Sequence, residues 1–184
     1  ACPTSVKNFE KHVVKTLYTN SVGTLNILEL AKKYQAKFLL GSSSVIYGSR
    51  TETEYIFDEN HRGALDHLTP RGAYDEGKRY AESATRTFEL AHGVDVKIAR
   101  IFRTYGPRMK LDDAQLIPDF IINALESKDL SIYGDETFRT ALLYVDDVVS
   151  GLIKLMAAPK DIGPVNLGSD QDLKIVDVAK KIIE

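Results

Sequence analysis

The chain has 184 residues, of which 43% are hydrophobic, enough for one core of ordinary size or for one domain and part of another. Its 24 basic and 26 acidic side chains nearly cancel, so the charge indicates neither nucleic acid nor a membrane surface as a partner. The single cysteine, Cys2, cannot form an internal disulfide and favours a reducing, cytoplasmic setting.

The first half of the chain alternates between helix and strand patterns. Apolar residues spaced by threes and fours predict a helix over residues 13–34. A short apolar run over residues 37–43 predicts a buried parallel strand that ends in small hydroxyl residues. Residues 48–72 are polar and rich in turn-forming residues, which indicates a long functional loop. A helix is expected over residues 74–91, followed by a strand over residues 94–102.

The second half predicts shorter elements. They are a helix over 117–125, strands over 130–133 and 140–144, a helix over 145–156, a strand over 165–167 and a helix over 175–184. Helices that alternate with strands predict an α/β fold with a parallel sheet, and such sheets bind ligands at the carboxyl ends of their strands. The strand ends at residues 42–44 and 102–105 are therefore expected to face one crevice.

Tyr74 and Lys78 form a candidate reactive pair, because a spacing of four places both on one face of a helix. A neighbouring ammonium stabilises phenolate and lowers a tyrosine pKa that is ordinarily about 10, so the phenol can take a proton from an alcohol. The spacing alone equally fits a solvated lysine beside a helical tyrosine. The preceding strand ends in Ser42, Ser43 and Ser44, and a serine hydroxyl there could hydrogen-bond the same alcohol or the phenolate, or could cap a turn.

Four arginines, Arg100, Arg103, Arg108 and Arg139, lie at or after predicted strand ends. Guanidinium groups suit pyrophosphate and carboxylate groups, although surface ion pairs are an equal alternative at each position. The four histidines have no metal-ligand spacing with one another or with Cys2, so no metal site is predicted.

Seven segments, in chain order, carry a family resemblance. They are ACP (1–3), TNSVGTLN (19–26), FLLGSSSVIYG (38–48), PRGAYDEGKR (70–79), ARIFRTYGPRM (99–109), IYGD (132–135) and YVDD (144–147). Together they resemble the NAD-dependent epimerase/dehydratase family of extended short-chain dehydrogenases/reductases, and most of all its decarboxylating members. The resemblance implies an enzyme that oxidises C4 of a UDP- or dTDP-sugar with NAD, leading to epimerisation, dehydration or decarboxylation.

The same resemblance implies a Rossmann-like doubly wound parallel sheet and a smaller substrate-binding α/β region. Residues 1–102 would form part of the NAD-binding domain, and residues 103–184 mainly the substrate-binding region, with segments near 140–168 returning to the first domain. The family's glycine-rich first unit would precede Ala1, so the isolated chain is expected to bind NAD poorly and to have little activity. A homodimer is implied as well, built from a four-helix bundle of the helices over 13–34 and 74–91.

Site residues follow from the matched positions. Tyr74 would be the general base on the sugar 4-hydroxyl, Lys78 would lower its pKa and bind the nicotinamide ribose, and Ser43 would hydrogen-bond the same hydroxyl. The further cofactor contacts would be Ala1, Asn20 and Ser42, and the substrate contacts Arg103, Tyr133 and Arg139.

Three departures from the family pattern bear on the reaction. Val45 stands where decarboxylating and dehydrating members carry a glutamate, and Arg103 stands where the family has an asparagine. Residues 135–139 also form a segment one residue shorter than in the decarboxylating members. These departures favour epimerisation or simple C4 oxidation, which need only the serine, tyrosine and lysine. The alternative is a catalytically idle homologue that binds NAD or a sugar nucleotide.

Overall fold

A computed structural model describes residues 11–49, 56–111, 113–132, 138–160 and 162–184. Its helices are α1 (Val13–Tyr18), α2 (Thr24–Tyr34), α3 (Gly72–His92), α4 (Leu116–Leu125), α5 (Val145–Ala157) and α6 (Ile175–Ile183). Its strands are β1 (Phe38–Ser43), β2 (Val96–Ile101), β3 (Thr104–Tyr105), β4 (Arg139–Thr140), β5 (Leu143–Tyr144), β6 (Pro164–Leu167) and β7 (Leu173–Lys174). None of the helices in these ranges is long and apolar enough to cross a bilayer.

A three-stranded parallel sheet in the order β1-β2-β6 organises the fold. Successive side chains of a strand point to opposite faces, so the neighbours of Ile98 and Lys97 show what covers each face of β2. Ile98 packs on Ala81 of α3, whereas the Lys97 ammonium binds the carbonyl of Pro159, just after α5. Helices therefore flank both faces of the sheet, as the α/β prediction requires.

The helix predicted over residues 13–34 forms as α1 and α2 joined by one π-helical turn, Thr19–Gly23. It packs along α3, and a core of Leu28, Ala31, Ala84 and Phe88 lies between them. The left-handed conformation of Gly93, with φ of 67°, ends α3 as a glycine after a helix is expected to do.

A second hydrophobic cluster lies away from the parallel sheet. Phe120 of α4 packs with Ile175 and Ala179 of α6. Nearby, the strand β4 pairs antiparallel with β7, and β3 pairs in parallel with β5. The division into an NAD-binding part and a substrate-binding part stays a prediction.

Two strand predictions were wrong. Residues 130–132 form no strand, because the apolar residues Leu130 and Ile132 pack against the Phe120 cluster instead of pairing with another strand. The strand predicted over 140–144 divides into β4 and β5, since Thr140 pairs with Leu173 and Leu143 pairs with β3. The two-residue strands β3 and β7 are too short to produce an alternating pattern, and sequence analysis missed them.

Candidate active site

Tyr74 and Lys78 lie together where the first turns of α3 approach the end of β1. Tyr74 is buried, and the Lys78 ammonium lies 5.8 Å from the centre of its ring. The same ammonium donates a hydrogen bond of 2.8 Å to the carbonyl of Gly41, two residues before Ser43. Lys78 therefore links the helix that carries the phenol to the strand end that carries the serines.

Ser43 ends β1 and caps the short 3-10 helix Ser44–Tyr47 that follows. Its hydroxyl oxygen accepts a hydrogen bond of 3.4 Å from the backbone N–H of Val45. A hydroxyl that accepts one hydrogen bond still has its own proton to donate. The capping role that sequence analysis left open is therefore present, and it is chemically compatible with a bond to a substrate alcohol.

Ser42 points to the other side of the strand end and is buried. Its hydroxyl donates a hydrogen bond of 2.5 Å to a carboxylate oxygen of Glu82 on α3. Its side chain thus joins the strand to the helix, and any contact of Ser42 with a cofactor would be made by its backbone.

Asn20 lies on the π-helical turn, a feature that occurs frequently at functional sites. Its side chain is buried against Gly77 of α3, and its amide nitrogen donates to the carbonyl of Thr16 over 3.1 Å. A β-carbon on Gly77 would lie 3.0 Å from the Asn20 β-carbon, closer than ordinary packing allows. Because Gly77 has no side chain, Asn20 can pack directly against α3 at the position just before Lys78.

Arg100 forms an ion pair, one of the two alternatives from sequence analysis, but this pair is buried rather than on the surface. Its guanidinium donates to Glu82 through Nε at 3.1 Å and Nη2 at 2.8 Å, and through Nη1 to the Tyr47 hydroxyl at 2.8 Å. Burial alone would lower the pKa of Arg100, but the hydrogen bond and charge of Glu82 raise the pKa above its ordinary value. Burial also raises the pKa of Tyr47, although the bond from Arg100 works in the opposite direction.

Asn166 of β6 continues this network. Its side-chain oxygen accepts from the Tyr47 hydroxyl at 2.7 Å, and its amide donates to the Phe57 carbonyl at 2.9 Å. Its backbone N–H donates to the Glu59 carboxylate at 2.8 Å. Asn166, Glu59 and Glu82 were missed in the sequence, because nothing in their spacing shows that distant segments converge on Arg100.

Arg139 and Arg103, two of the substrate contacts predicted from the sequence, both lie next to Phe138. Arg139 forms an ion pair with the Asp172 carboxylate and donates to the Asp172 carbonyl at 2.8 Å. The Arg103 guanidinium lies 5.7 Å from the ring centre of Phe138, the neighbour of Arg139. The predicted contacts Ala1 and Tyr133 lie outside the described residues.

A cavity of about 230 Å³ opens where β2 and β6 end. Phe102 and Gly168, which follow these two strands, line it together with Phe57, Asn166 and Asp172. The cavity therefore lies at the edge of the sheet where parallel sheets bind ligands. Asp172 lines the cavity and also forms the ion pair with Arg139, so the cavity adjoins that pair.

Asp75, directly after Tyr74, is the second ionisable residue in the first turn of α3. Burial raises its pKa, and the charge and hydrogen bond of Arg71 at 2.9 Å offset this only in part. Its second carboxylate oxygen is buried without a hydrogen-bond partner.

In the part of the chain that the structure describes, no group of three His, Cys, Asp or Glu side chains could hold a metal ion.

Comparisons with known proteins match nearly the whole chain. The profile of the NAD dependent epimerase/dehydratase family matches residues 1–168. UDP-glucuronic acid decarboxylase 4 of Arabidopsis thaliana is 41% identical over the whole chain, which covers 41% of that relative. The NAD complex of dTDP-glucose 4,6-dehydratase from Bacillus anthracis superposes with a TM-score of 0.80 at 30% identity, covering 91% of this chain and 51% of that one. UDP-glucuronic acid 4-epimerase from Bacillus cereus, also with NAD, gives a TM-score of 0.81 at 26% identity, covering 99% and 56%. The chain thus spans about half the length of the proteins it matches.

Proposed function

Because this chain belongs to the NAD dependent epimerase/dehydratase family, we propose that it forms part of an enzyme that oxidises C4 of a nucleotide sugar with NAD. The observation that carries the proposal is the placement of the Lys78 ammonium beside the Tyr74 ring and on the strand end that leads to Ser43. The relatives act on UDP- and dTDP-sugars, as their names state. They support the substrate class without fixing the sugar.

In the proposed reaction, Tyr74 removes the proton of the sugar 4-hydroxyl while Ser43 hydrogen-bonds the same oxygen. Lys78 stabilises the phenolate form by its positive charge. Bound NAD would supply the acceptor for the hydride that leaves C4, so that the alcohol becomes a ketone. Asn20 and Lys78 offer N–H donors that suit ribose hydroxyls, and Ser42 would contribute backbone contacts at the strand end.

The substrate end of the site would lie near Arg103, Arg139 and Tyr133. A guanidinium matches the geometry of a diphosphate, and Arg139 is held in place by Asp172 until such a group competes for it. An arginine at position 103 adds positive charge, which fits a sugar acid or a phosphate oxygen.

The outcome after C4 oxidation depends on the groups that can move protons near C5. Val45 is half-buried beside Ser43 and carries no proton-transferring group. We therefore favour epimerisation or simple oxidation, with decarboxylation as the competing outcome that the relatives' names suggest. Product analysis with UDP-glucuronate separates them, because only decarboxylation releases carbon dioxide.

The test of the whole proposal is Tyr74→Phe in the complete natural protein. We expect the rate of NAD reduction by the nucleotide sugar to fall by about 100- to 10,000-fold, as when a general base is removed. Tyr80→Phe is the matched control, because Tyr80 is an exposed tyrosine of the same helix. Equal rates for wild type and Tyr74→Phe would favour the idle, ligand-binding alternative.

We also propose that two copies pair as a four-helix bundle, built from the helix over residues 74–91 and the helix over residues 13–34. Its outer surface exposes a row of large apolar side chains, Val14, Leu17, Tyr18, Val22, Ile27, Leu30 and Tyr34. Contiguous exposed apolar surface on this scale indicates a protein partner. Leu30→Glu should convert a dimer into a monomer in light scattering after gel filtration. Leu125→Glu, on the exposed surface of α4, should leave the mass unchanged.

The cytoplasmic setting remains the prediction made from the single cysteine.

A further inference from the structure

We propose that the buried Glu82–Arg100 ion pair is a positioning device that sets the Ser43 hydroxyl in register with the Tyr74 phenol. This inference rests on the proposed function, because it concerns the geometry of the same catalytic group. Neither residue needs to touch substrate or cofactor, since both act through the backbone on each side of Ser43.

Glu82 connects the helix side of the site to the strand side. Tyr74, Lys78 and Glu82 follow one another at intervals of four, so they form one row along the face of α3 that covers the sheet. Lys78 binds the carbonyl of Gly41, and Glu82 accepts the hydroxyl of Ser42. Two consecutive residues of β1 are thereby tied to α3 immediately before Ser43.

Arg100 fixes the other end of the Ser43 turn. While Nε and Nη2 hold Glu82, its Nη1 donates to the Tyr47 hydroxyl at 2.8 Å. Tyr47 is the last residue of the short 3-10 helix that Ser43 caps. The segment that carries Ser43 is consequently anchored on both sides to one guanidinium–carboxylate pair.

The same guanidinium also anchors the loop that borders the cavity. Its Nη1 donates to the carbonyl of Glu59 at 2.8 Å, and the Glu59 carboxylate accepts from the backbone of Asn166. Tyr47 stacks on Phe57, which lines the cavity, with ring centres 5.2 Å apart. The segment that carries the Ser43 hydroxyl and the wall of the cavity are therefore both tied to a single buried pair.

A positioning role and simple stabilisation predict different effects when the ion pair is broken. A buried ion pair is a weak source of stability, because desolvation offsets much of the attraction. A displacement of about 1 Å at a catalytic group, by contrast, can cost about 100-fold in rate. The expected signature is therefore a large loss of turnover with little change in ligand affinity.

The experiment compares Glu82→Gln with Glu89→Gln in the complete natural protein. Glu89 pairs with Arg86 on the same helix, away from β1, and is the matched control. For Glu82→Gln we expect kcat for conversion of the nucleotide sugar to fall by about 10- to 100-fold while the sugar-nucleotide KM changes less than about 2-fold.

Hydrogen exchange of the backbone amides gives a readout that does not depend on turnover. Amides of residues 43–47 and 57–61 should exchange faster in Glu82→Gln than in wild type, and Glu89→Gln should leave them unchanged. If Glu82→Gln does not fold, Tyr47→Phe removes only the hydroxyl link and should show the same pattern in weaker form.

Unchanged exchange in both segments, or an unchanged kcat with only lower thermal stability, would overturn the positioning role. A wild-type protein that neither converts the nucleotide sugar nor reduces NAD, even transiently, would instead overturn the proposed function. In that case the exchange measurement would still decide whether the ion pair holds the Ser43 turn.

Discussion

Replacing Asp95 with asparagine should destabilise the fold through Lys97, a fully buried lysine on the central strand. The Lys97 ammonium donates to the Asp95 carboxylate at 2.7 Å and to the Pro159 carbonyl at 2.8 Å, and its side chain is 0% exposed. Asparagine keeps an acceptor oxygen near the ammonium but removes the negative charge. The buried cation then has only neutral partners at these two contacts.

The expected loss in the free energy of unfolding is about 2 kcal/mol. Removing a partner from a buried ion pair costs about 3–5 kcal/mol, and the remaining amide oxygen recovers about 1 kcal/mol as a neutral hydrogen bond. The partial exposure of Asp95 reduces the loss further. Glu126→Gln is the matched control, because Glu126 and Lys128 are also two residues apart with the same 2.7 Å distance, but both are exposed. We expect it to cost less than about 0.5 kcal/mol.

The loss should depend on pH in a defined direction. The hydrogen bond from Lys97 lowers the pKa of Asp95 in the folded protein, despite the opposing effect of burial. A carboxyl with a lowered folded-state pKa contributes stability above its unfolded pKa of about 3.9, and this is lost as pH falls through the folded-state pKa. Urea unfolding of the complete protein should therefore show a constant gap between wild type and Asp95→Asn above about pH 5 and a closing gap at lower pH. A gap that persists at low pH, or a loss equal to that of Glu126→Gln, would refute this reasoning.

Three further substitutions test the close contacts around the site. In Gly63→Ala, the new β-carbon would lie 2.0 Å from the Tyr47 carbonyl oxygen, so we expect a loss of about 3 kcal/mol or more in urea unfolding, and a loss below about 1 kcal/mol would contradict the contact. In Gly77→Ala, a gain of about 1 kcal/mol in helix propensity opposes the 3.0 Å contact with Asn20. Its unfolding free energy should thus change little, while NAD affinity in calorimetry falls, and unaltered affinity would argue against a cofactor contact by Asn20. Asp75→Asn should stabilise the protein at neutral pH by less than about 1 kcal/mol, because burial raises the pKa of Asp75. A raised folded-state pKa means that wild-type stability declines as pH rises from the unfolded value of about 3.9, so the variant's advantage should appear over that window and vanish in acid.

The regular elements of the parallel sheet could be predicted because their patterns are local. A helix repeats every 3.6 residues and a buried strand is a short apolar run, so β1, β2, β6, α3 and α5 were predicted within about two residues. The pairing of Tyr74 with Lys78 was predictable for the same reason, because a spacing of four places both on one helical face. The family motifs then singled out Ser43 among the serines at the end of the predicted strand.

Long-range pairing could not be predicted from any local pattern. Residues 140–144 look like one strand, yet Thr140 and Leu143 pair with different strands far along the chain. The apolar residues Leu130 and Ile132 pack against a hydrophobic cluster instead of pairing with a strand. Such outcomes depend on which surfaces meet in space, and the residues themselves carry no sign of it.

The amino-acid sequence by itself determined the family, the order of the main elements and the row of residues that faces the sheet from α3. Only the tertiary structure decided what surrounds that row. It placed Glu82, Tyr47 and Glu59 around Arg100 of β2, and Asn166 against Tyr47, although these residues come from segments up to 119 residues apart. A buried charge requires partners wherever the fold brings them, so the identity of those partners is a property of the packed chain rather than of its local spacing.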